Sequence, residues 1–410
     1  MLQKLTNKLH KHFPTYGEKN ILLFYIVTIF QNSWFQLGNW LLFVLLFMGE
    51  REFAVYESIA FGIGMLIEIP SGAFADLFGK KRTVVIGMFL LMLGSIIFTL
   101  GYMGNSYIFF GNIIMISAFA FISGSLEALV YDTLVEKNKV QHYDNIIGKA
   151  HSLDILSMVV ASAIGGLMWK YSIYAPWILT SVAFFIALLV SLKFTEPKVD
   201  TYKFTVGNFI AQNKAGFHYL FKSKFRKYTL SFVMITGSYF MWSAGIIRIL
   251  MGRDFGYNGE TLNYLISGVL ILSFFSAYFF KQIRAKLGDR KGFGALLLIA
   301  SIAWAMSAFY GNSLYLGALV FLAITISGSL SQIWTSVILN SHVHSKDRAT
   351  AISTLSFLVQ IPYVLVVILF GNMIADGSAS VFYLIAGVLL FVGFISFVIA
   401  EKPSSNSKVA

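Results

Sequence analysis

Two carboxylates inside long apolar segments, Glu127 and Asp154, are the first candidates for chemistry in this sequence. A charge in such a segment is costly in lipid unless it is paired or neutralised, so it usually marks an ion or substrate pathway. A carboxylate there can exchange a proton near neutral pH or pair with a cationic substrate. We therefore predict that Glu127, above all, and Asp154 serve in proton coupling or substrate binding. A structural ion pair is the alternative for Glu127.

Other ionisable residues point to simpler roles. Glu57 and Arg248 lie towards one end of their apolar segments and are predicted to be surface charges. The seven histidines are His10, His12, His142, His151, His218, His342 and His344. All of them fall in tails, loops or segment ends, and we expect them to be solvated. Because the chain has no cysteine and no acids cluster beside the histidines, no metal site is predicted.

A stripe of polar residues runs through the first apolar segment. Thr28, Asn32, Gln36 and Asn39 follow one another at intervals of four, four and three, which would place them on one face of a helix. Lipid would penalise such a stripe, so it should face water or protein. We expect it to line a cavity, with helix packing as the alternative.

The composition requires a membrane around these residues. Of 410 residues, 57% are hydrophobic and only 12% are charged, whereas soluble domains carry about a quarter charged residues. A soluble multidomain protein is therefore excluded. The net charge of +12 does not indicate a nucleic-acid partner, because the basic residues cluster in short segments between apolar runs, as in the loops of membrane proteins.

The apolar runs predict twelve membrane-spanning helices. The predicted spans are 20–48, 53–75, 83–103, 107–135, 146–169, 174–194, 228–250, 262–280, 293–311, 314–340, 350–374 and 378–400. With the N-terminus in the cytosol, all but four of the 31 Lys and Arg residues lie on the cytosolic side. The positive-inside rule then predicts a plasma or inner membrane protein with both termini in the cytosol.

An internal repeat indicates two similar halves. The sequence Ile-Ser-Gly-Ser-Leu occurs at 122–126 and again at 326–330, in the fourth span of each half. We predict an N-terminal six-helix bundle over 1–194 and a C-terminal bundle with a short cytosolic tail over 227–410. The basic linker 195–226 is either an amphipathic helix on anionic lipid or a solvated segment.

The loop after the second span resembles the loop signature of the major facilitator superfamily. That signature reads Gly, three residues, Asp, a basic residue, any residue, Gly and two basic residues. The matching residues are Gly72, Asp76, Gly79, Lys80 and Lys81. Leu77 stands where a basic residue is usual, and a degenerate second copy follows the eighth span at 288–291. Together with the twelve spans and the linker, the resemblance covers the whole chain.

This resemblance implies an all-α membrane protein with twelve transmembrane helices in two pseudo-symmetric six-helix bundles. It also implies that the loop is a cytosolic gate, which latches the halves in an outward-facing state. The residues that we assign to the gate are Glu68, Gly72, Asp76, Gly79, Lys80, Lys81, Arg82 and Asp132. Asp132 lies near a helix C-terminus, where the helix dipole disfavours an acid, so Lys80, Lys81 or Arg82 should supply a cation.

In the family, spans one, four, seven and ten line a central cavity. The lining residues predicted on that basis are Asn32, Gln36, Asn39, Ser123, Tyr131, Tyr239, Trp242, Ser327, Ser331, Gln332 and Thr335. The internal repeat pairs Ser123, Glu127 and Tyr131 with Ser327, Ser331 and Thr335. Two polar faces related in this way are what a site between repeats would present.

Further family signatures are only partly present. The fifth span shares the final glycine pair, Gly165 and Gly166, with the antiporter signature, which is a hint of efflux. Ala120 stands where many proton antiporters carry an arginine, so their coupling mechanism does not transfer to this chain.

The predicted function is secondary active transport by alternating access, with proton-coupled efflux of a small amphipathic or cationic compound. The expected partners are that substrate, protons and the lipid bilayer, with no cofactor, and the protein is expected to be a monomer. The alternatives are uptake or facilitated transport of a sugar, metabolite or lipid, and a receptor or scaffold on the same fold. A membrane enzyme is disfavoured, because no phosphate-binding, zinc-protease or serine-hydrolase motif occurs.

Overall fold

The computed structural model describes residues 18–122, 124–198, 207, 226–309, 311, 313–342 and 348–400. Within these ranges the regular structure is entirely helical, which confirms the all-α prediction. Contacts group the chain into two compact units, one formed by 1–48 and 59–206 and the other by 49–58 and 207–410. We call them unit 1 and unit 2. Most of the predicted linker lies outside the described residues, so its role and the predicted domain bounds stay predictions.

Eight helices lie in the described residues of the N-terminal half of the chain. They are α1 (Lys19–Gln31), α2 (Trp40–Val44), α3 (Glu50–Phe78), α4 (Lys80–Thr99), α5 (Asn105–Ile122), α6 (Ser125–Glu136), α7 (Tyr143–Tyr171) and α8 (Ala175–Ser191). All belong to unit 1 except the first part of α3, which groups with unit 2 up to Ser58.

Seven helices follow in unit 2. They are α9 (Arg226–Ala244), α10 (Ile246–Asp254), α11 (Gly259–Tyr278), α12 (Phe280–Met306), α13 (Leu314–His342), α14 (Arg348–Ala375) and α15 (Ala379–Ala400). Three short 3₁₀ helices accompany these elements, at Leu100–Met103, Val140–His142 and Ser307–Phe309.

Each of the twelve predicted spans overlaps at least one of these helices. In the described part of the chain, eight helical segments are long and apolar enough to cross a membrane. The pair α9 and α10, which is bent by 74°, would make a ninth span, while α1 and α8 are apolar but shorter. The helices therefore make the chain an integral membrane protein, and their number is consistent with twelve spans.

The first predicted span is broken rather than continuous. Helix α1 ends at Gln31, and residues 32–39 form irregular turns before α2 begins. At this end Asn32 Nδ2 donates to the carbonyl of Thr28 over 3.0 Å, and Ser33 Oγ donates to that of Ile29 over 2.8 Å. Such side-chain bonds offer the backbone an alternative to the next helical turn. The prediction that Thr28 to Asn39 share one helical face is therefore wrong.

The irregular segment packs closely against α7 and α8 within unit 1. A Cβ on Gly165 of α7 would lie 1.6 Å from the carbonyl oxygen of Phe35, so only glycine admits that backbone. The amide of Phe35 donates to Thr180 Oγ1 on α8 over 3.1 Å, and Gln36 also hydrogen-bonds the Thr180 hydroxyl. The glycine that matched the antiporter signature thus has a packing role.

Candidate functional site

A cavity of about 390 Å³ lies inside unit 1, between α1, the junction of α5 and α6, and α7. Its polar lining residues are Thr28, Gln31, Asn32, Glu127, His151 and Asp154. Its apolar lining residues are Phe24, Ile122, Leu126, Ile147 and Ala150. A volume of this size falls within the range of roughly 300–1,000 Å³ that is usual for small-molecule sites. The two acids predicted for coupling, Glu127 and Asp154, therefore share one cavity.

The helix break in the fourth span positions Glu127. Helix α5 ends at Ile122, Gly124 has a φ of +73°, and α6 starts at Ser125. Glu127 thus stands in the first turn of α6, where the helix dipole favours a negative charge. Its side chain is exposed. A new helix that begins beside the cavity therefore presents a carboxylate to it.

Asp154 and His151 lie one turn apart on α7. The Nδ1 atom of His151 is 3.7 Å from Oδ2 of Asp154, close enough for an ion pair when the imidazole is protonated. The other carboxylate oxygen, Asp154 Oδ1, is buried and accepts no hydrogen bond from the described part of the chain, and the same holds for Gln31 Oε1. Of the described residues that line the cavity, none is Lys or Arg. Two carboxylates and one imidazole therefore set its charge.

The other polar residues predicted on the N-terminal side are divided among several positions. Asn32 lines the cavity, whereas Gln36 and Asn39 are buried away from it, and Asn39 precedes α2 as its N-cap. Tyr131 is exposed, and its ring packs edge-to-face on that of Tyr143 with centroids 5.2 Å apart. Ser123 lies outside the described residues. The structure thus brings only part of the predicted set together.

In unit 2, Tyr239 and Trp242 line a much smaller cavity of about 30 Å³, together with Arg248 and Thr325. Trp242 Nε1 donates to Thr325 Oγ1 over 3.1 Å. A cavity of this size holds about one water molecule and no organic substrate.

The residues predicted on the tenth span lie along α13, and none of them lines that small cavity. Ser327, Ser331 and Thr335 are buried, and Gln332 is exposed. Ser327 Oγ donates to the carbonyl of Ala323 over 2.6 Å, and Ser331 Oγ donates to that of Gly328 over 2.7 Å. These two hydroxyls are thus engaged by the backbone of their own helix.

The loop assigned to the gate holds an ion pair between Lys80 Nζ and the carboxylate of Asp132. Lys80 is therefore the cation beside this acid at the end of α6. Glu196, which the sequence analysis missed, accepts hydrogen bonds from the amides of Lys80 and Lys81 at 2.7 and 2.8 Å. It caps the positive end of α4 after the turn at Gly79, whose φ is +95°.

The remaining gate residues are less defined. Glu68 and Arg82 are exposed, while the surroundings of Gly72 and Asp76 fall outside what the structure describes of α3. The pairing of Lys80 with Asp132 is thus observed, and the gating role of the loop remains a proposal.

Two residues predicted as surface charges are buried, so that prediction is wrong. Glu57 is only 3% exposed, and Tyr363 OH of α14 donates to its Oε1 over 3.3 Å within unit 2. Arg248 is only 8% exposed, because α10 folds back sharply after Gly245, which has a φ of +102°. His151 is exposed as expected, but it lies at the cavity beside Asp154.

No family model matches the chain. The chain is 24% identical over 288 residues to Multidrug resistance protein 2 of Bacillus subtilis (strain 168). This match spans 66% of this chain and 68% of that protein. The chain is 26% identical over 217 residues to an uncharacterized transporter of Buchnera aphidicola subsp. Schizaphis graminum (strain Sg). That match spans 52% of this chain and 51% of the other protein, about half of each.

Solved structures match over nearly the whole chain. A POT family peptide transporter in an auto-inhibited form has a TM-score of 0.70 at 13% identity, with 95% of this chain and 99% of that chain covered. The nucleoside transporter NupG has a TM-score of 0.66 at 16% identity, with 94% and 99% covered. A bacterial homologue of the human lysosomal transporter Spinster has a TM-score of 0.66 at 13% identity, with 94% and 98% covered.

Proposed function

We propose that this chain, which is a membrane transporter with the major facilitator fold, exports a small amphipathic or cationic compound in exchange for protons. In this proposal it works by alternating access, as a monomer in the plasma or inner membrane, with both termini in the cytosol. The observation that carries the proposal is the unit 1 cavity, in which Glu127 and Asp154 lie together.

The charge of the cavity favours cations. Two carboxylates in a confined space repel each other unless protons, a cationic ligand or water compensates them. The described lining residues include no Lys or Arg that could provide permanent compensation. The nearest titratable base is His151, which lies on the Asp154 side. Protons and an organic cation are therefore the two kinds of occupant that this cavity would stabilise.

Competition between these occupants would provide coupling. If binding of a cation to the carboxylates releases a proton, each ligand lowers the affinity of the other by the same factor. A carrier that exposes the cavity to one side at a time would then exchange cation for proton. The apolar lining, with Phe24 and Leu126, would accept the hydrocarbon part of an amphipathic substrate.

Two observations support efflux as the direction. The relative from Bacillus subtilis is named a multidrug resistance protein. The glycine pair at the end of the fifth span matches the antiporter signature, and Gly165 admits the Phe35 carbonyl against α7.

The test is transport of a radiolabelled arylalkylamine, phenethylamine, by the purified protein in proteoliposomes with an imposed pH gradient. Glu127→Gln keeps the size and hydrogen-bonding capacity of the side chain but fixes it as neutral. We expect it to reduce gradient-driven accumulation at least tenfold while solute exchange without a gradient persists. Glu260→Gln is the matched control, because Glu260 lies on α11 and does not line the cavity.

Two results would contradict the proposal. If wild-type vesicles show no flux of the amine that responds to the gradient, the substrate class or the coupling ion is wrong. If Glu127→Gln keeps the wild-type pH profile, Glu127 is structural, and the same measurement on Asp154→Asn then decides whether Asp154 is the coupling acid.

A further inference from the structure

The unit 1 cavity contains two buried hydrogen-bond acceptors that receive no hydrogen bond from the residues that the structure describes. Asp154 Oδ1 and Gln31 Oε1 are both enclosed, and neither accepts a hydrogen bond. They belong to different helices, α7 and α1, and both residues line the cavity. Buried acceptors of this kind are rare in proteins and usually have a partner that completes them.

Two donors on residues that line the cavity are directed at other atoms. The Nδ2 group of Asn32 donates to the carbonyl of Thr28 over 3.0 Å. Nδ1 of His151 lies 3.7 Å from the second oxygen of Asp154 rather than the first. The missing hydrogen bonds would therefore come from a molecule that enters the cavity.

We infer that the substrate is an organic ammonium that donates N–H bonds to Gln31 and Asp154, an inference that rests on the proposed function. An ammonium with N–H groups meets both requirements of the cavity, since it brings positive charge to the carboxylates and donors to the two acceptors. The apolar residues Phe24, Leu126 and Ile147 enclose its hydrocarbon part.

Other ligand classes fit this set of atoms less well. A quaternary ammonium carries the charge but has no N–H group, so both acceptors would stay unsatisfied. A sugar has hydroxyl donors but leaves the two carboxylates without a counter-charge. An anion would place its own acceptor atoms beside Gln31 Oε1 and the Asp154 carboxylate, and no hydrogen bond could form between them. The relevant specificity is therefore between ammonium ions with and without N–H donors.

The experiment compares phenethylammonium with its N,N,N-trimethyl analogue, which has the same charge and aromatic group. Their affinities for the purified wild-type protein are measured by calorimetry. We expect the primary ammonium to bind at least tenfold more tightly, because a hydrogen bond to a charged or buried acceptor is worth that factor or more. Equal affinities, or tighter binding of the trimethyl compound, would overturn the inference and indicate recognition by an aromatic face such as Phe24.

Gln31→Met tests the acceptor while preserving length and neutrality. We expect it to weaken the primary ammonium severalfold and leave the trimethyl compound unchanged, so that the ratio of the two affinities falls. Gln282→Met, at an exposed position of α12, should leave the ratio unchanged. An unchanged ratio in Gln31→Met would remove Gln31 from the site. The comparison of ligands on the wild-type protein needs no variant, so a folding defect does not block the test.

The same ligands separate this inference from the proposed function. If both ammonium ions are bound equally and both are driven by the proton gradient, the proposed function stands and the inference fails. If neither is bound nor transported, both fail.

Discussion

The same five residues, Ile-Ser-Gly-Ser-Leu, take two different structures in the two units. At 122–126 the helix stops, Gly124 has a φ of +73°, and a new helix begins. At 326–330 the pentapeptide lies within α13, which runs without a break from Leu314 to His342. Identical local sequence thus gives a helix break in unit 1 and a continuous helix in unit 2.

The two glycines serve different purposes, which explains the difference. A Cβ on Gly124 would meet nothing within 4 Å, so glycine is needed there for its left-handed backbone and not for space. A Cβ on Gly328 would lie 2.0 Å from the ring of Tyr239, so glycine is needed there for the close approach of α9. Tertiary neighbours therefore override the shared propensity.

This difference bears on the proposed function. The break in unit 1 starts α6 beside the cavity and places Glu127 in its first turn. The equivalent position in unit 2 is Ser331, which is buried and bonded to the backbone of its own helix. The carboxylate that we propose for coupling thus lies in the copy of the repeat whose helix is broken.

Among the substitutions that test this comparison between the two copies, Gly328→Ala is expected to lower stability most. Its methyl group would overlap the inner atoms of the Tyr239 ring, which cannot move without the α9 backbone. Overpacking of this kind typically costs about 1–3 kcal/mol. Thermal unfolding in detergent should show a clear fall in Tm, and Tyr239→Leu in the same chain should restore part of it. If Gly328→Ala alone leaves Tm unchanged, close packing is not the reason for this glycine.

Gly124→Ala should have a smaller effect with a different pattern of rescue. Gly124 combines a φ of +73° with a ψ of −41°, outside the region that asparagine tolerates, so any L-residue there is strained by about 1–2 kcal/mol. Gly124→Ala and Gly124→Asn should therefore both lower Tm by a similar amount, whereas no substitution of a neighbour should help. A wild-type Tm for Gly124→Ala would contradict the role assigned to the positive φ.

Much of the fold follows from the sequence, because long apolar runs must become helices in lipid. The twelve apolar segments, the repeat and the choice of Glu127 and Asp154 as acids within apolar segments could be predicted in this way, whereas the cavity that the two acids share could not. The break after Gln31 was not, since it depends on Asn32 and Ser33 bonding back to their own helix.

Burial that depends on residues far apart in the sequence could not be predicted either. Glu57 is buried because the start of α3 belongs to unit 2, where Tyr363 of α14 donates to its carboxylate. These two residues are 306 positions apart, so no local pattern connects them. Position alone predicted that His151 is solvated. Asp154, three residues further along the same helix, was the signal that His151 lies beside an acid.

The smallest effect is expected at Ser331, the counterpart of Glu127 in the second copy. Ser331→Ala removes one hydrogen bond to the carbonyl of Gly328, a loss of about 0.5–1.5 kcal/mol. Because Ser331 lies inside α13 and alanine has a higher helix propensity than serine, part of the lost stability should be recovered. We expect Tm within a few degrees of wild type and an unchanged pH profile of transport in proteoliposomes.

Glu127→Ala, measured in parallel, should alter that pH profile although its side chain is exposed. If Ser331→Ala instead changes the pH profile as much as Glu127→Ala does, both copies of the repeat take part in coupling, and the broken helix is not what gives unit 1 its role.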